Sequence, residues 1–329
     1  MKYSSKLSLI ETEVAIKFIK DNFEKELAKS LKLTRVSAPL FVLPETGLND
    51  NLSGRERAVK FDVAYLQKEV EIVQSLAKWK RMALAKYGFE AESGLYTDMN
   101  AIRRDEDTLD AIHSVYVDQW DWEKIITREE RKLSYLKKTV KSIYKVILKL
   151  AKLVNAKYPE IIHNLPKEIT FISTKELEKE YPNLSRKERE NAITKKYGAV
   201  FIYQIGWKLK DGKPHDSRAA DYDDWKLNGD LLLWYDVLDM AMELSSMGIR
   251  VDETSLLKQL KAKGEEEKIS NPYCQDVLNG KLPLTIGGGI GQSRLCMYFL
   301  NKAHIGEVQA SVWSEQTLKE NAEKGVQLL

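Results

Sequence analysis

Four glycines fall within five positions in Gly287-Gly288-Gly289-Ile290-Gly291, and Gln292-Ser293-Arg294 follow at once. A backbone without Cβ atoms can approach a ligand closely, and a helix that starts just beyond it aims its amides at an anion. The local pattern predicts a strand over Leu284–Ile286, a tight turn across the glycines and a helix from Gln292 to Leu300. This is not a dinucleotide fingerprint, because Arg294 stands where the last glycine of GxGxxG is required, and the chain holds no GxxxxGK[ST] element. An arginine one turn into the helix offers a planar cation to an adenine face or a triphosphate. The same residues would also serve as a plain turn with a surface arginine.

Upstream, Ser8 and Glu11 form a capping box ahead of Ile16, Ile19, Phe23, Leu27 and Leu31, one apolar stripe of a helix. Leu33–Leu40, Ala58–Val63 and Val70–Val73 read as strands, and Leu76–Lys86 as a short helix closed by Gly88. Leu95–Ile102 and Ser114–Trp120 read as a hairpin around the charged stretch Arg103–Ala111. Thr127 and Glu130 form a second capping box ahead of Leu133, Leu136, Val140, Ile143, Ile147 and Leu150, a long helix over 128–154. Short helices and a strand follow over 155–197, then the strand Ala199–Gly206 and a polar, Asp-rich loop at 209–226. Gly229–Tyr235 and Glu243–Arg250 read as strands, covered by a helix from Asp252. Strands in hairpins outnumber crossover helices, so the expected class is α+β, with a mostly antiparallel sheet flanked by helices.

Two further stretches carry chemistry. Arg103, at a strand end before Asp105, Glu106 and Asp107, can offer a bidentate fork to phosphate. In Glu243-Leu244-Ser245-Ser246, Glu243 and Ser245 share a strand face, and an irregular turn over Ser246–Gly248 would bring Ser246 round to join Glu243 on Mg²⁺, a cation that prefers oxygen ligands. An exposed charged loop and a polar strand edge are the plainer alternatives.

The chain of 329 residues carries 43% apolar and 31% charged residues with a net charge of only +3, so a broad nucleic-acid surface is not expected. Cys274, Cys296 and four scattered histidines give no zinc spacing and fit a reducing cytosol. The N-terminal stretch is charged throughout, unlike a signal peptide, and no apolar run nears the roughly 20 residues that span a bilayer.

Together these stretches resemble the class II aminoacyl-tRNA synthetases. Gly289-Ile290-Gly291-Gln292-Ser293-Arg294-Leu295 is similar to their motif 3, Arg103 through Val115 to motif 2, and Val36-Ser37-Ala38-Pro39-Leu40 to motif 1. Glu243-Leu244-Ser245-Ser246 resembles the acidic Mg–ATP element of the aspartyl and asparaginyl enzymes. The resemblance is closer to the ammonia-dependent asparagine synthetases and covers essentially the whole chain. It is carried by Asp50-Asn51-Leu52-Ser53-Gly54, by Ser75 through Arg81, by Gly94-Leu95-Tyr96-Thr97, by His113 through Glu123 (HSVYVDQWDWE), by Asp221-Tyr222-Asp223-Asp224-Trp225 and by Glu243 through Arg250. Two departures stand out: Lys226-Leu227-Asn228-Gly229-Asp230 follows DYDDW directly where the family has an insertion, and Gln74 stands where it has a histidine.

The resemblance implies a single catalytic domain over residues 1–329 without an anticodon-binding domain. It also implies ATP-dependent amidation of L-aspartate by ammonia through a β-aspartyl adenylate, with Mg²⁺, in a cytoplasmic homodimer that holds no nucleic acid or membrane. Pro39 and the helix over 128–154 would contribute to the two-fold contact. Arg103 would meet the α-phosphate and Arg294 the far end of ATP over Gly289 and Gly291, and Glu243, Ser246 and Asp230 would hold Mg²⁺. Lys80 and Arg250 are the candidate cations for the aspartate α-carboxylate. Asp118, Gln119, Asp223 and Ser245 are further substrate candidates. Asp118 and Gln119 point to opposite faces of a strand, so only one reaches the α-amine directly. Trp120 and Trp122 would line the core with Asp118. Asp50 is the candidate that takes a proton from ammonium, with Asp223 next; a turn built by Asp50 and Asn51 is the alternative. A tRNA synthetase lacks room for its anticodon module before Pro39. A non-catalytic amino-acid-binding regulator would be expected to lack Arg103, Glu243 or Arg294. Lys2 does not supply the N-terminal nucleophile of glutamine-dependent enzymes.

Overall fold

The computed structural model of the chain describes residues 3–329 except 51, 53–55 and 107–108. Asn51, Ser53 and Gly54 of the DNLSG stretch, and Asp107, therefore lie outside the described residues. The first helix, α1 (Leu9–Leu31), opens on the expected Ser8–Glu11 capping box and buries Ile19, Phe23, Leu27 and Leu31. Of the single strand expected over Leu33–Leu40 only β1 (Leu33–Arg35) forms, and a separate β2 (Phe41–Val42) begins beyond it. Pro39 accounts for the break, since it has no N–H for a ladder and restricts the residue before it.

Next come β3 (Lys60–Val63), β4 (Lys68–Ile72), α2 (Ala77–Lys86), β5 (Gly94–Ile102), β6 (Tyr116–Ile125) and α3 (Leu133–Lys157). The α3 helix starts later than the Thr127–Glu130 pair suggested. Thr127 N–H does donate to Glu130 Oε2 at 3.0 Å, but this closes a turn ahead of the helix. Its apolar stripe, from Leu136 to Leu150, is buried in the chain's own core. The remaining elements are β7 (Thr170–Ser173), α4 (Thr174–Glu180), α5 (Arg186–Tyr197), β8 (Ala199–Tyr203), β9 (Asp223–Tyr235), β10 (Met240–Arg250), α6 (Glu253–Lys263), α7 (Pro272–Leu278), β11 (Thr285–Gly291), α8 (Gln292–Phe299) and α9 (Glu315–Lys324).

The main sheet has eight strands in the order β1-β5-β6-β11-β10-β9-β8-β7. It is mixed, which corrects the expectation of a mostly antiparallel sheet. The inner pairings are antiparallel, but β1 joins β5 and β7 joins β8 in parallel at the two edges. A second sheet, β2-β4-β3, stands apart. The glycine run is also not a turn. It lies inside β11, paired on one side with β6 and on the other with β10. Likewise β10 runs as one strand through Ser246–Gly248, with a bulge between Glu243 and Ser245 and a second register shift between Gly248 and Arg250.

One face of the sheet packs on α1, α3 and α8. There Trp120 and Trp122 are buried, and the Trp120 ring lies 5.0 Å from that of Phe23. Alternation along β6 then sends Gln119, Asp121 and Glu123 to the opposite face.

Candidate active site

That opposite face is the floor of a cavity of about 520 Å³. Its centre is β11, where glycine makes the room. A Cβ on Gly289 would lie 2.4 Å from Gln119 Oε1 and 2.8 Å from Asp121 Oδ1. A Cβ on Gly287 would lie 1.9 Å from Glu123 Oε2. The polar row of β6 can therefore lean across β11 only because β11 has no side chains there.

One end of the cavity is built on Arg250. Glu123 accepts from its Nε at 2.9 Å and its Nη2 at 2.7 Å, Asp223 accepts from Nη1, and the Thr285 hydroxyl donates to Glu123 at 2.6 Å. All of these groups are buried. A guanidinium has five N–H donors, so this clamp leaves two for a ligand. Burial raises the Asp223 carboxyl above its ordinary range, against the pull of Arg250. Lys80 lies beneath, with Nζ 3.0 Å from Asp121 Oδ2 and 3.0 Å from the Gly288 carbonyl, and burial lowers its ammonium. Asp121 Oδ1 is buried with no hydrogen-bond partner.

Arg103 lines the cavity from the end of β5, and its Nε is buried without a partner. Beside it Asp105 is gripped by Arg57 at 2.6 and 2.9 Å, which ties the β5–β6 loop to the segment after Asp50. Arg294, from the first turn of α8, is steadied by the carbonyls of Ile112 (3.2 Å) and Glu243 (3.1 Å).

Asp50 is buried in the wall. Its Oδ1 accepts the Leu52 N–H at 2.9 Å, and its Oδ2 has no partner. Burial pushes its carboxyl from 3.8 up to about 6, although Lys78 pulls the other way. Lys78 is itself paired with Asp221 at 3.2 Å. Gln74, fully buried, donates to the Asp50 carbonyl at 3.0 Å and so holds this loop.

Glu243 and Ser246 both line the cavity, because the β10 bulge brings residues three apart to one face. Asp230 lies opposite Ser246 on β9, behind the lining, and Arg218 grips its Oδ2 while Oδ1 has no partner. Burial and the nearby Glu243 carboxylate raise Asp230 above the usual range. Among the described residues no three His, Cys, Asp or Glu side chains converge as a metal cage. Two carboxylates and a hydroxyl are the sparse oxygen set that suits Mg²⁺ arriving with phosphates.

Asp118 borders the cavity, but its oxygens are engaged: Lys20 of α1 lies 3.1 Å from Oδ2, and Ser293 N–H donates to Oδ1 at 3.0 Å. Of the pair Asp118 and Gln119, it is therefore Gln119 that faces the floor. Ser245 Oγ donates to the Gly289 carbonyl at 2.8 Å, and Gly291 lies beside Arg294. Sequence reasoning gave no role to Asp121, Glu123, Lys78, Asp221, Tyr222 or Arg218. Alternation from Trp120 and Trp122 was a usable signal for Asp121 and Glu123. The others have none, since distant segments bring them in.

The family model described as aspartate–ammonia ligase matches residues 10–325 of the chain. An aspartate–ammonia ligase of Clostridium perfringens is 62% identical over 328 residues, 99% of this chain and 97% of that protein. One of Fusobacterium nucleatum is 58% identical over the full length of both. Among solved structures, asparaginyl-tRNA synthetases with bound asparaginyl-adenylate share the fold. The one from Pyrococcus horikoshii has a TM-score of 0.66 at 17% identity, covering 92% of this chain and 70% of that one. The one from Entamoeba histolytica has a TM-score of 0.64 at 17% identity, covering 92% of this chain and 66% of that one.

Proposed function

The chain belongs to the aspartate–ammonia ligase family, and we propose that its cleft carries out the ATP-dependent amidation of L-aspartate in the following way. The observation that supports this most is the opposition of two arginines across a floor of glycines. Arg250 is fixed by two carboxylates with N–H groups to spare, and Arg103 has a buried, partnerless Nε.

Aspartate sits at the Arg250 end. Arg250, with Lys80 behind it, takes the α-carboxylate, Asp121 Oδ1 and Gln119 take the α-ammonium, and Asp223 keeps Arg250 in plane. This leaves the β-carboxylate facing the nucleotide, which lies over Gly289 and Gly291 with Arg294 at its far end. A β-carboxylate oxygen attacks the α-phosphorus, the P–O bond to the β-phosphate breaks, and pyrophosphate leaves. Arg103 meets the charge that builds on the α-phosphate. Glu243, Ser246 and Asp230 would hold Mg²⁺, which neutralises phosphate charge. In the second half the ammonia nitrogen attacks the acyl carbon and AMP departs. Asp50 takes the proton from ammonium, a role that suits a carboxylate raised toward neutrality. Asp118 and Ser245 act through others, Asp118 on the first turn of α8 and Ser245 on the β11 backbone. Assembly as a homodimer through the Pro39 segment is supported by exposed Leu40, Phe41 and Phe61 nearby.

The test is the product set. Aspartate, Mg-ATP and ammonium should yield asparagine, AMP and pyrophosphate, whereas ADP with phosphate would overturn the adenylate. Asp50→Asn should retain aspartate-dependent exchange of pyrophosphate into ATP while losing asparagine synthesis. Equal loss of both would move the ammonium site away from Asp50.

A further inference from the structure

A second hollow of about 880 Å³ lies beside the cleft, between the start of α4, the loop after β8 and the flank of α6. Six cationic residues line it: Lys175, Lys208, Arg218, Lys226, Lys258 and Lys263. Among the described residues that line it there is no Asp or Glu. The chain as a whole is nearly balanced, with 52 basic and 49 acidic residues; here Arg218 is paired with Asp216 and Asp230 and Lys263 with Glu265, so the local excess of positive charge is carried by Lys175, Lys208, Lys226 and Lys258. Gathering like charges around a concave surface costs free energy unless an anion offsets it.

The wall is aromatic and closely built. Trp207 and Trp225 meet edge to face with centroids 5.0 Å apart. Trp225 donates its indole N–H to the Ala219 carbonyl at 3.0 Å. Gly206, at φ 123°, packs against the Trp225 ring, and a Cβ there would lie 2.4 Å from it. Trp207 is only half-buried. Its Nε1 atom is buried without a partner, and Lys258 Nζ stands 5.3 Å from its ring centre. A half-exposed indole and the lysine ammonium groups around it together match a ligand with a planar base and several phosphates.

We propose that this hollow is a second binding site, for a nucleotide whose base stacks on Trp207 and whose phosphates lie among Lys175, Lys208 and Lys226. The volume falls in the range of small-ligand sites. Arg218 lines both this hollow and the catalytic cleft and is gripped by Asp216 and Asp230, so a phosphate here and Asp230 draw on the same guanidinium. Binding at this site does not depend on the reaction assigned to the cleft.

Calorimetric titration of the full-length protein with ADP decides the matter. The wild type should bind two ADP per chain. The Lys208→Glu/Lys226→Glu double variant should bind one, and the retained site shows that the variant is folded. Trp207→Phe should abolish the tryptophan quenching that accompanies the second event. One ADP per wild-type chain that the double variant retains, or two in the double variant, overturns the site; one in the wild type and none in a double variant shown to be folded by thermal unfolding keeps the site and removes nucleotide binding from the cleft. If inorganic tripolyphosphate fills the second site as tightly as ADP, with Trp207→Phe making no difference, the assignment to a nucleotide is overturned.

Discussion

Replacing Asp50 by Asn should make the protein more stable while disabling it. In the folded chain the Asp50 carboxyl is raised by burial from 3.8 to about 6. The unfolded chain therefore releases this proton more readily than the folded one, and ionisation opposes folding as pH rises from about 4 to above 6. A rise of about two pH units at about 1.4 kcal/mol each makes the ionised group cost about 3 kcal/mol at pH 7. Asn has the shape of the protonated acid and cannot ionise, and its oxygen can still accept the Leu52 N–H. Urea denaturation at pH 7 should therefore show Asp50→Asn more stable by about 2–3 kcal/mol, and at pH 4, where folded Asp50 is already protonated, the difference should shrink to well under about 1 kcal/mol. A variant less stable than wild type at pH 7, or a gain equal at both pH values, would refute the reasoning, because Asp50 would then be stabilised as an anion by Lys78. The sign is the opposite of an ordinary structural carboxylate, whose loss destabilises at neutral pH.

Arg103→Lys keeps the charge but loses the planar fork, so pyrophosphate exchange and asparagine synthesis should fall together by about 10²–10³-fold; an exchange rate near wild type would remove Arg103 from the α-phosphate. Gly289→Ala puts a methyl 2.4 Å from Gln119 Oε1, and overpacking of about 1–3 kcal/mol predicts kcat/KM for aspartate lower by roughly 5- to 150-fold, with thermal unfolding showing whether the fold carries part of the loss. Sedimentation should give about twice the chain mass of 37.8 kDa; a stable, active monomer would contradict pairing through the Pro39 segment.

Local patterns in the sequence located most elements, because capping boxes, apolar spacing and alternation depend on near neighbours. Ser8 and Glu11 behaved as read. Thr127 and Glu130 made the same hydrogen bond and still did not start α3, since a turn forms it equally well. The glycine run misled for a related reason. Glycines in series look like a turn, and only pairing with β6 and β10 on both sides holds them extended. The parallel edges escaped notice because β1 and β7 are short strands whose partners, β5 and β8, lie beyond intervening segments. Arg103, Arg250 and Asp50, singled out from their local context, line the same cavity. Lys78 with Asp221, separated by 143 positions, is a product of chain closure.

The alternation along β6 has a consequence for how this protein tolerates change. Trp120 and Trp122 serve the core and Gln119, Asp121 and Glu123 serve the cleft, all in one strand. A saturation scan should therefore show two interleaved profiles. At 120 and 122, large apolar replacements should be partly accepted, with abundance tracking residue volume. At 119 and 121, conservative polar replacements should leave abundance high and growth without asparagine low. An insertion or deletion of one residue should fail on both counts, because it would turn the chemistry into the core and the tryptophans into the cleft. Lineages of this fold are thus held in composition by two different demands along β6, volume on one face and chemistry on the other, and nearly barred from changing its length.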